Sequence, residues 1–241
     1  MDNKIAVIIP TYNEYDNIAY LIQKINTLLP RIHILIIDDN SPDGTGIIAQ
    51  RLSEMSSTVD VIHRVKKLGL ASAYKEGFIW ALARDFDYII QMDADFSHRP
   101  EDILRLLEAI QCSADLVIGS RYKKGLRVKG WAIFRILLSY SANVYSRVIL
   151  KTSIWDMTSG FRCYRAGILK TIDLSMIHSE GYAFQIEMAY LFHQNKFVIE
   201  EIPIVFIERK KGKTKLDLII IVEAFLTVLR LRWRRKNIKF H

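Results

Sequence analysis

The chain opens with a regular alternation of short apolar runs and amphipathic stretches. The runs IAVIIP (5–10) and IHILIIDD (32–39) are each followed by apolar residues at helical spacing, over about Asp16–Leu29 and Gly44–Glu54. The alternation continues through the strand VDVIH, the helix LASAYKEGFIWALARD, the strand DYIIQMDAD, a helix opened by Pro100 and Glu101, and the strand DLVIGS. This pattern predicts an α/β fold with a mostly parallel central sheet and helices on both faces.

Polar motifs follow the predicted strands at the point where each strand ends. They are PTYNE (10–14), DDNSPDGT (38–45), DADFSH (93–98) and GSRY (119–122). Open α/β sheets bind ligands beyond the carboxyl ends of their strands, so the four motifs are expected to line one site. Neither GxGxxG nor GxxxxGK[ST] occurs, which leaves a dinucleotide-binding or P-loop fold without support.

The composition predicts the size of the domain and the compartment of the protein. The 241 residues are 50% hydrophobic, enough for one compact domain with a C-terminal appendage. The two cysteines, Cys112 and Cys163, lack metal-ligand spacing, so neither a disulfide framework nor a zinc site is indicated and a reducing compartment is expected. The first apolar run is too short for a signal peptide or a spanning helix, which favours the cytosol.

The net charge of +8 is unevenly spread. Residues 116–155 contain eight Lys/Arg and no acid, and residues 208–241 contain eleven Lys/Arg against three acids. Cations concentrated in this way predict that these two segments face an anionic partner.

Asp93 and Asp95 are the candidate metal ligands. If the strand stays extended to Asp95, residues two apart point the same way, so both carboxylates can serve one ligand while Ala94 faces away. Mg²⁺ typically takes one or two protein carboxylates and completes its shell with phosphate oxygens and water. An isolated acid pair more often caps a helix, but its place beside the companion motifs favours the cation site.

Together these motifs, with Asp156-Met-Thr-Ser-Gly-Phe-Arg162, resemble those of family 2 glycosyltransferases, in particular the dolichol-phosphate (polyprenol-phosphate) mannose synthases. The resemblance covers roughly residues 4–216. It implies a GT-A type fold and an inverting, divalent-cation-dependent (Mg²⁺ or Mn²⁺) transfer of mannose from GDP-mannose to dolichyl or polyprenyl phosphate. Two positions depart from the family pattern: Ala71 stands where glycine is usual, and Ser97 where some members carry a metal-binding glutamine.

The resemblance also implies a set of donor-site residues. Asp38 stays open between ligand contact and a structural hydrogen bond, and Lys215 between phosphate contact and surface solubility. For the apolar members a backbone or packing contact is expected. The implied donor residues are Pro10, Tyr12, Glu14, Ile37, Asp39, Asp93, Ala94, Asp95, Arg121, Arg209 and Lys215.

On the acceptor side, the resemblance implies that Arg121, Arg135 and Ser139 hold the lipid phosphate, and that Asp95, Arg121 and Arg135 are catalytic. A phosphate monoester is largely dianionic at pH 7, so it needs cations more than a base. This agrees with Gln185, an amide where enzymes with hydroxyl acceptors carry an acid. Asp156 is expected either to pair with Arg162 or to contact substrate.

The predicted organisation is a catalytic domain over residues 1–215 and an amphipathic helix with a basic tail over residues 216–241. Residues 218–229 and 131–150 read either as interfacial helices or as core helices. The basic tail favours peripheral attachment to the cytosolic face of a membrane, with anchoring partner subunits as a further option.

Two alternative functions remain at this stage. A UDP-glucose-dependent polyprenyl-phosphate glycosyltransferase would keep the mechanism and change the donor. A basic scaffold for nucleic acid would use the arginine-rich tail on phosphates, but Asp93 and Asp95 would repel a polynucleotide, so no nucleic-acid partner is expected.

Overall fold

The computed structural model describes residues 3–208 and 218–234, with the backbone alone for residues 218–223 and 234. Its strands are β1 Ile5–Thr11, β2 His33–Asp38, β3 Val59–His63, β4 Tyr88–Gln91, β5 Leu116–Ser120, β6 Val128–Lys129, β7 Arg162–Arg165, β8 Ile199–Pro203 and β9 Phe206–Ile207. Its helices are α1 Ile18–Leu28, α2 Thr45–Met55, α3 Leu70–Leu82, α4 Asp102–Cys112, α5 Ile133–Leu150, α6 Ala166–Leu169, α7 Gly181–Gln194 and α8 Leu218–Arg234, with a 3₁₀ turn at Leu174–Met176.

Within these ranges, seven strands form one sheet in the order β3-β2-β1-β4-β7-β5-β8. All neighbours are parallel except β7, which runs antiparallel between β4 and β5. The predicted mostly parallel sheet is therefore confirmed. Strand β1 has β2 on one side and β4 on the other, which creates a crevice at the carboxyl ends of these three strands.

The sheet is buried on both faces because its central strands β1, β2 and β4 consist mostly of apolar residues, nearly all of them buried. In β1, Ala6 and Ile8 join the core cluster under α3 and α7, whereas Val7 and Ile9 join the cluster under α1 and α4. Continuous apolar runs of this kind are typical of a parallel strand covered on both sides.

The sequence-based expectation of an extended strand as far as Asp95 is wrong. Strand β4 ends at Gln91, and the acid pair lies in the bends that follow, where Phe96 has a φ of 59°. Asp93 and Asp95 are half-buried and Ala94 is buried, but all three line the same cavity, so the expectation that Ala94 faces away from it is not met.

Helix α8 lies against α5 and α7. Its Val228 and Leu231 are buried in the core cluster, and its Phe225 ring stacks on Tyr145 of α5 at 4.5 Å between centroids. The predicted domain boundary after residue 215 lies outside the described residues and stays a prediction.

Candidate active site

A cavity of about 290 Å³ lies at the carboxyl ends of β1, β2 and β4. It lies where the strand order predicts a ligand site, and every predicted motif contributes to its wall. Of the predicted site residues, Pro10, Tyr12, Glu14, Asp39, Asp93, Ala94, Asp95, Arg121 and Arg135 line it.

One end of this cavity is built around Asp39. Its Oδ1 accepts a hydrogen bond from buried Arg64 at 2.7 Å, and its Oδ2 accepts one from the backbone N–H of Gly69 at 3.0 Å. Beside it, the Lys67 ammonium lies 3.6 Å from the centroid of the Tyr12 ring. The residues that fix Asp39 and face Tyr12 therefore come from the loop before α3, which the motif analysis did not include.

The neighbouring motif residues are held by local hydrogen bonds. Glu14 Oε2 accepts a hydrogen bond from Asn17 at 2.7 Å. Buried Asp38 accepts hydrogen bonds from the hydroxyls of Thr11 and Ser41 at 3.0 and 2.6 Å, which favours its structural interpretation. Ile37 lies fully buried in the core and does not line the cavity, so a ligand would reach only its backbone.

At the other end of the cavity stand the two acids. Asp93 Oδ1 accepts a hydrogen bond from the Tyr74 hydroxyl at 3.1 Å, and Asp95 Oδ1 accepts one from the backbone N–H of Ser97 at 3.0 Å. Burial, and then the charge of Asp93, raises the pKa of Tyr74 well above its ordinary value, so the hydroxyl keeps its proton. A Cβ at Gly160 would lie 3.4 Å from Asp93 Oδ2, so glycine leaves space beside this carboxylate.

These residues fit a divalent cation. Among the described residues no group of three or more His, Cys, Asp or Glu is placed to hold a metal ion. A pair of carboxylates is nonetheless the usual protein share of an Mg²⁺ site whose other ligands are phosphate oxygens and water. Ser97, at the position where a glutamine ligand is expected, is buried, and its hydroxyl has no hydrogen-bond partner in the described part of the chain.

His98 belongs to this site although its spacing gave no signal. Its ring stacks on Phe161 at 4.9 Å, and its Nδ1 accepts a hydrogen bond from the backbone N–H of Asp93 at 3.4 Å. Burial lowers the pKa of His98 despite the nearby carboxylates, so the imidazole is neutral at pH 7.

Arg121 is paired with Asp156 inside the protein. Its Nε and Nη2 lie 2.7 and 2.6 Å from the two carboxylate oxygens of Asp156, and its Nη2 also donates to Thr158 at 2.7 Å. Burial acts in the opposite direction, but the ion pair holds the pKa of Asp156 below and that of Arg121 above its usual range.

Of the two alternatives expected for Asp156, the ion pair with Arg162 is not the one formed, because Asp156 pairs with Arg121. Arg162 is fully buried and donates instead to the backbone carbonyls of Ser159 and Met157, both at 2.8 Å. Asp156 therefore has its carboxylate available for Arg121, and the backbone N–H of Asp156 is held by Glu201 at 2.9 Å.

A second cavity of about 310 Å³ lies between α5, α7 and α8. Its inner wall is mostly apolar and includes Ala142, Ile186 and Val228, and it contains the predicted acceptor residues Arg135 and Ser139. The Ser139 hydroxyl accepts a hydrogen bond from Tyr122 at 2.7 Å. The two cavities meet at a junction formed by Arg121, Trp131, Arg135, Thr158 and Tyr182, which line both.

Arg135 is held less tightly than Arg121. Its guanidinium lies 4.1 Å from the Trp131 ring centroid and 2.8 Å from Glu208 Oε1. The Glu208 side chain is 34% exposed, whereas that of Asp156 is completely buried. The indole N–H of Trp131 is buried and has no hydrogen-bond partner among the described residues.

Several predicted residues lie elsewhere or outside the described chain. Arg209 and Lys215 fall in the segment that is not described. Glu187 is buried and accepts a hydrogen bond from the backbone of Ser179 at 3.2 Å, which fits its structural interpretation. Gln185 is buried in α7 and does not line either cavity.

The fold, together with an acid pair at the strand ends, defines a glycosyltransferase of the GT-A type. The chain belongs to glycosyl transferase family 2, whose model matches residues 6–173, as the sequence motifs predicted.

Three curated relatives align with nearly the whole chain. It is 45% identical to the polyprenol monophosphomannose synthase of Mycolicibacterium smegmatis over 92% of this chain and 84% of that protein. It is 41% identical to the undecaprenyl-phosphate mannosyltransferase of Micrococcus luteus, with 94% and 93% covered. It is 38% identical to the dolichol-phosphate mannosyltransferase of Pyrococcus furiosus, with 95% and 64% covered.

Among solved structures, the glucosyl-3-phosphoglycerate synthase of Mycobacterium tuberculosis in complex with Mn²⁺, UDP and its product shares the fold at a TM-score of 0.70. The sequences are 18% identical, and the alignment covers 96% of this chain and 81% of that one. The predicted GT-A type fold is thus confirmed.

Proposed function

We propose that this enzyme transfers mannose from GDP-mannose to a polyprenyl or dolichyl phosphate and releases GDP. The observation that carries the proposal is the junction: a polar cavity with two carboxylates meets an apolar cavity at Arg121 and Arg135. The first suits a nucleotide sugar, and the second suits the beginning of a hydrocarbon chain. The names of the three mannosyl-transferring relatives support the same donor sugar and class of acceptor.

In the proposed reaction, an oxygen of the acceptor phosphate attacks the anomeric carbon of the sugar. The bond from that carbon to the nucleotide diphosphate breaks as the new bond forms, so the configuration inverts. The dianionic acceptor arrives without a proton to lose, and Arg121 and Arg135 offset its charge at the junction. Bound to Asp93 and Asp95, a divalent cation such as Mg²⁺ or Mn²⁺ supplies charge neutralisation for the diphosphate leaving group.

The proposed lipid acceptor resides in a membrane, so the enzyme has to bind it at the membrane surface. Helix α5 has an exposed apolar face suited to that contact. Its outward residues Ile133, Phe134, Leu137 and Val148 are exposed, and only Asn143, Ser146 and Leu150 of this helix are buried. Across residues 3–208 and 218–234 no helix is both long and apolar enough to cross a bilayer. Attachment through α5, α8 and the basic tail to the cytosolic face of a membrane is the proposed arrangement.

The activity assay incubates the protein with a short polyprenyl phosphate and either GDP-mannose or UDP-glucose, with Mn²⁺ or with chelator. Mannosyl lipid should form from GDP-mannose alone and only when the cation is present. Asp95→Asn keeps the shape and removes the charge of one carboxylate. It should lower kcat/KM by more than the roughly 100-fold that marks the upper range for outer-shell partners of a metal.

The matched control is Asp60→Asn on β3, which lines neither cavity and should retain full activity. Glucosyl transfer from UDP-glucose, without mannosyl transfer from GDP-mannose, would show that the proposed donor is wrong. Full activity of Asp95→Asn, or full activity in chelator, would contradict the cation site.

A further inference from the structure

Asp93 has a hydrogen-bond partner on a distant helix. The Tyr74 hydroxyl, on α3, lies 3.1 Å from Asp93 Oδ1, and the two residues are 19 positions apart in the chain. We propose that Tyr74 is a positioning residue that orients the Asp93 carboxylate for the divalent cation and the donor diphosphate. This inference rests on the proposed function, because it assigns Asp93 to that cation.

The acid pair needs such support because it lies beyond the strand. Strand β4 ends at Gln91, and the hydrogen bonds to the neighbouring strand β1 continue only to the N–H of Met92, which donates to the Ile8 carbonyl at 3.2 Å. The N–H of Asp93 already turns to a side chain, His98 Nδ1. Asp95 is held within its own bend by the Ser97 N–H, at 3.0 Å. Asp93 instead accepts a hydrogen bond from a side chain on α3, a helix elsewhere in the fold.

The surroundings of Tyr74 fix the position of its hydroxyl. Its side chain is completely buried. Its ring stacks on Phe78 and on Phe184, both at 6.3 Å between centroids, with interplanar angles of 24° and 5°. A fully buried ring in contact with two other rings cannot swing its hydroxyl away without disturbing the core, so the direction of the donated hydrogen bond is set by the fold.

The hydrogen bond leaves Asp93 able to act as a ligand. An ionised carboxylate has about four acceptor positions, and the Tyr74 hydroxyl uses one of them. Asp93 Oδ2 lies beside the space at Gly160 and 3.9 Å from His98 Nδ1. Outer-shell donors of this kind fix the orientation of ligating carboxylates, and their loss typically lowers metal affinity about 10- to 100-fold.

The test measures Mn²⁺ binding in the presence of GDP, from the electron paramagnetic resonance signal of the free ion. Tyr74→Phe keeps the stacked ring and removes only the hydroxyl, and it should weaken Mn²⁺ binding about tenfold. Tyr164→Phe is the matched control: its ring is equally buried, and its hydroxyl donates to Gln91 Oε1 at 3.0 Å instead of to a cation ligand. Tyr164→Phe should bind Mn²⁺ as the wild type does.

A double variant separates positioning from general damage. In an Asp93→Asn background, where the ligand is already impaired, Tyr74→Phe should cause no further loss of Mn²⁺ affinity. Wild-type affinity in Tyr74→Phe, equal losses in Tyr74→Phe and Tyr164→Phe, or a melting temperature for Tyr74→Phe far below that of Tyr164→Phe would each overturn the positioning role. A wild-type protein that binds no Mn²⁺ with GDP would instead overturn the cation site itself.

Discussion

Three arginines around the two cavities each face a carboxylate, but the pairs differ in exposure. Arg64 with Asp39 and Arg121 with Asp156 are almost completely buried. The pair of Arg135 with Glu208 is partly open to solvent, with side chains 15% and 34% exposed. Removing one partner of a buried ion pair strongly destabilises the folded protein, because the other charge is left buried and unpaired. At a partly exposed pair, water or another anion can take the place of the carboxylate beside the arginine. Arg135 is therefore the junction cation best placed to accept an incoming phosphate.

We expect Arg135→Ala to raise the KM for the lipid phosphate at least about tenfold, because a hydrogen bond to a charged group contributes roughly 1.5–3 kcal/mol. The affinity for GDP-mannose should change little, since in the proposed function only the acceptor phosphate requires this arginine. Steady-state kinetics with varied acceptor and calorimetry with GDP-mannose measure the two effects.

Arg84→Ala is the matched control. Arg84 also lies over a tryptophan ring, 4.3 Å from the Trp80 centroid, but it lines neither cavity. Equal losses of donor and acceptor affinity in Arg135→Ala would argue for a donor-site role instead.

At the residue scale, the sequence indicated which side chains belong to the candidate site better than it indicated which residues they pair with. Asp93 and Asp95 were predicted from their motif because paired carboxylates suit a cation, and Arg121 was implied by the resemblance to the family. The partner of Arg121 was missed because Asp156 lies 35 positions away, and its nearer neighbour Arg162 was a plausible alternative. Tyr74 occupies an apolar position in the helical pattern of α3, which predicts only that its ring is buried. The hydrogen bond of its hydroxyl to Asp93 becomes visible only when α3 is placed against β4.

At the scale of the element, Gly77 controls how closely α3 approaches the sheet. A Cβ at this position would lie 2.5 Å from Ile8 Cγ2, and a real Cβ contact is never that short. Ile8 is completely buried on β1, so the close contact would fall on a packed core side chain. The glycine thus lets α3 lie close enough to bring Tyr74 beneath the acid pair.

Gly77→Ala should therefore lower the free energy of unfolding by about 1–3 kcal/mol, the usual cost of overpacking. This outcome is opposite to the roughly 1 kcal/mol gain that alanine brings to an open helical position. Gly167→Ala on α6 is the control, since nothing lies within 4 Å of its added Cβ, and it should be neutral or slightly stabilising. Urea denaturation measures both; a stabilised Gly77→Ala would show that the helix can shift freely.

The sequence predicted the alternating strands and helices from β1 through β5, although it extended β4 beyond its end at Gln91. Strand β7 was missed because RCYR has arginines at both ends and reads as a polar loop. Arg162 is buried there with its Nε and Nη2 donating hydrogen bonds to two backbone carbonyls, and such compensation has no signature in the sequence. The two-residue strands β6 and β9 are too short to show any period.

At the scale of the whole molecule, apolar and basic surface lie together. The outward residues of α5 follow the basic segment Lys123–Lys129, and Phe225, Leu226 and Trp233 of α8 are exposed as well. Basic side chains near an anionic bilayer gain roughly 1 kcal/mol each. The distribution of surface types therefore favours attachment by charge together with shallow apolar insertion.

Deleting residues 235–241, which lie outside the described residues, removes part of the basic tail and leaves the buried Leu231 of α8 in place. It should reduce binding to anionic vesicles and slow transfer to long-chain lipid in them. Transfer to a short-chain acceptor in detergent should be nearly preserved, and wild-type binding should weaken as salt rises. Vesicle sedimentation and both assays measure these effects. Lys4→Ala with Arg31→Ala, at the amino ends of β1 and β2, is the charge control. Unchanged, salt-independent sedimentation of the truncated protein would assign attachment to the helices or to a partner subunit.

The junction between the cavities also governs how the products depart. The polar cavity reaches the surface near exposed Lys67, and the apolar cavity reaches it near exposed Ser141 and Phe225. In the proposed reaction the spent nucleotide and the glycosylated lipid therefore leave by different routes, one into water and the other along the membrane. Neither product has to pass the other, so an enzyme attached to the bilayer as proposed would discharge a water-soluble molecule and a lipid without detaching.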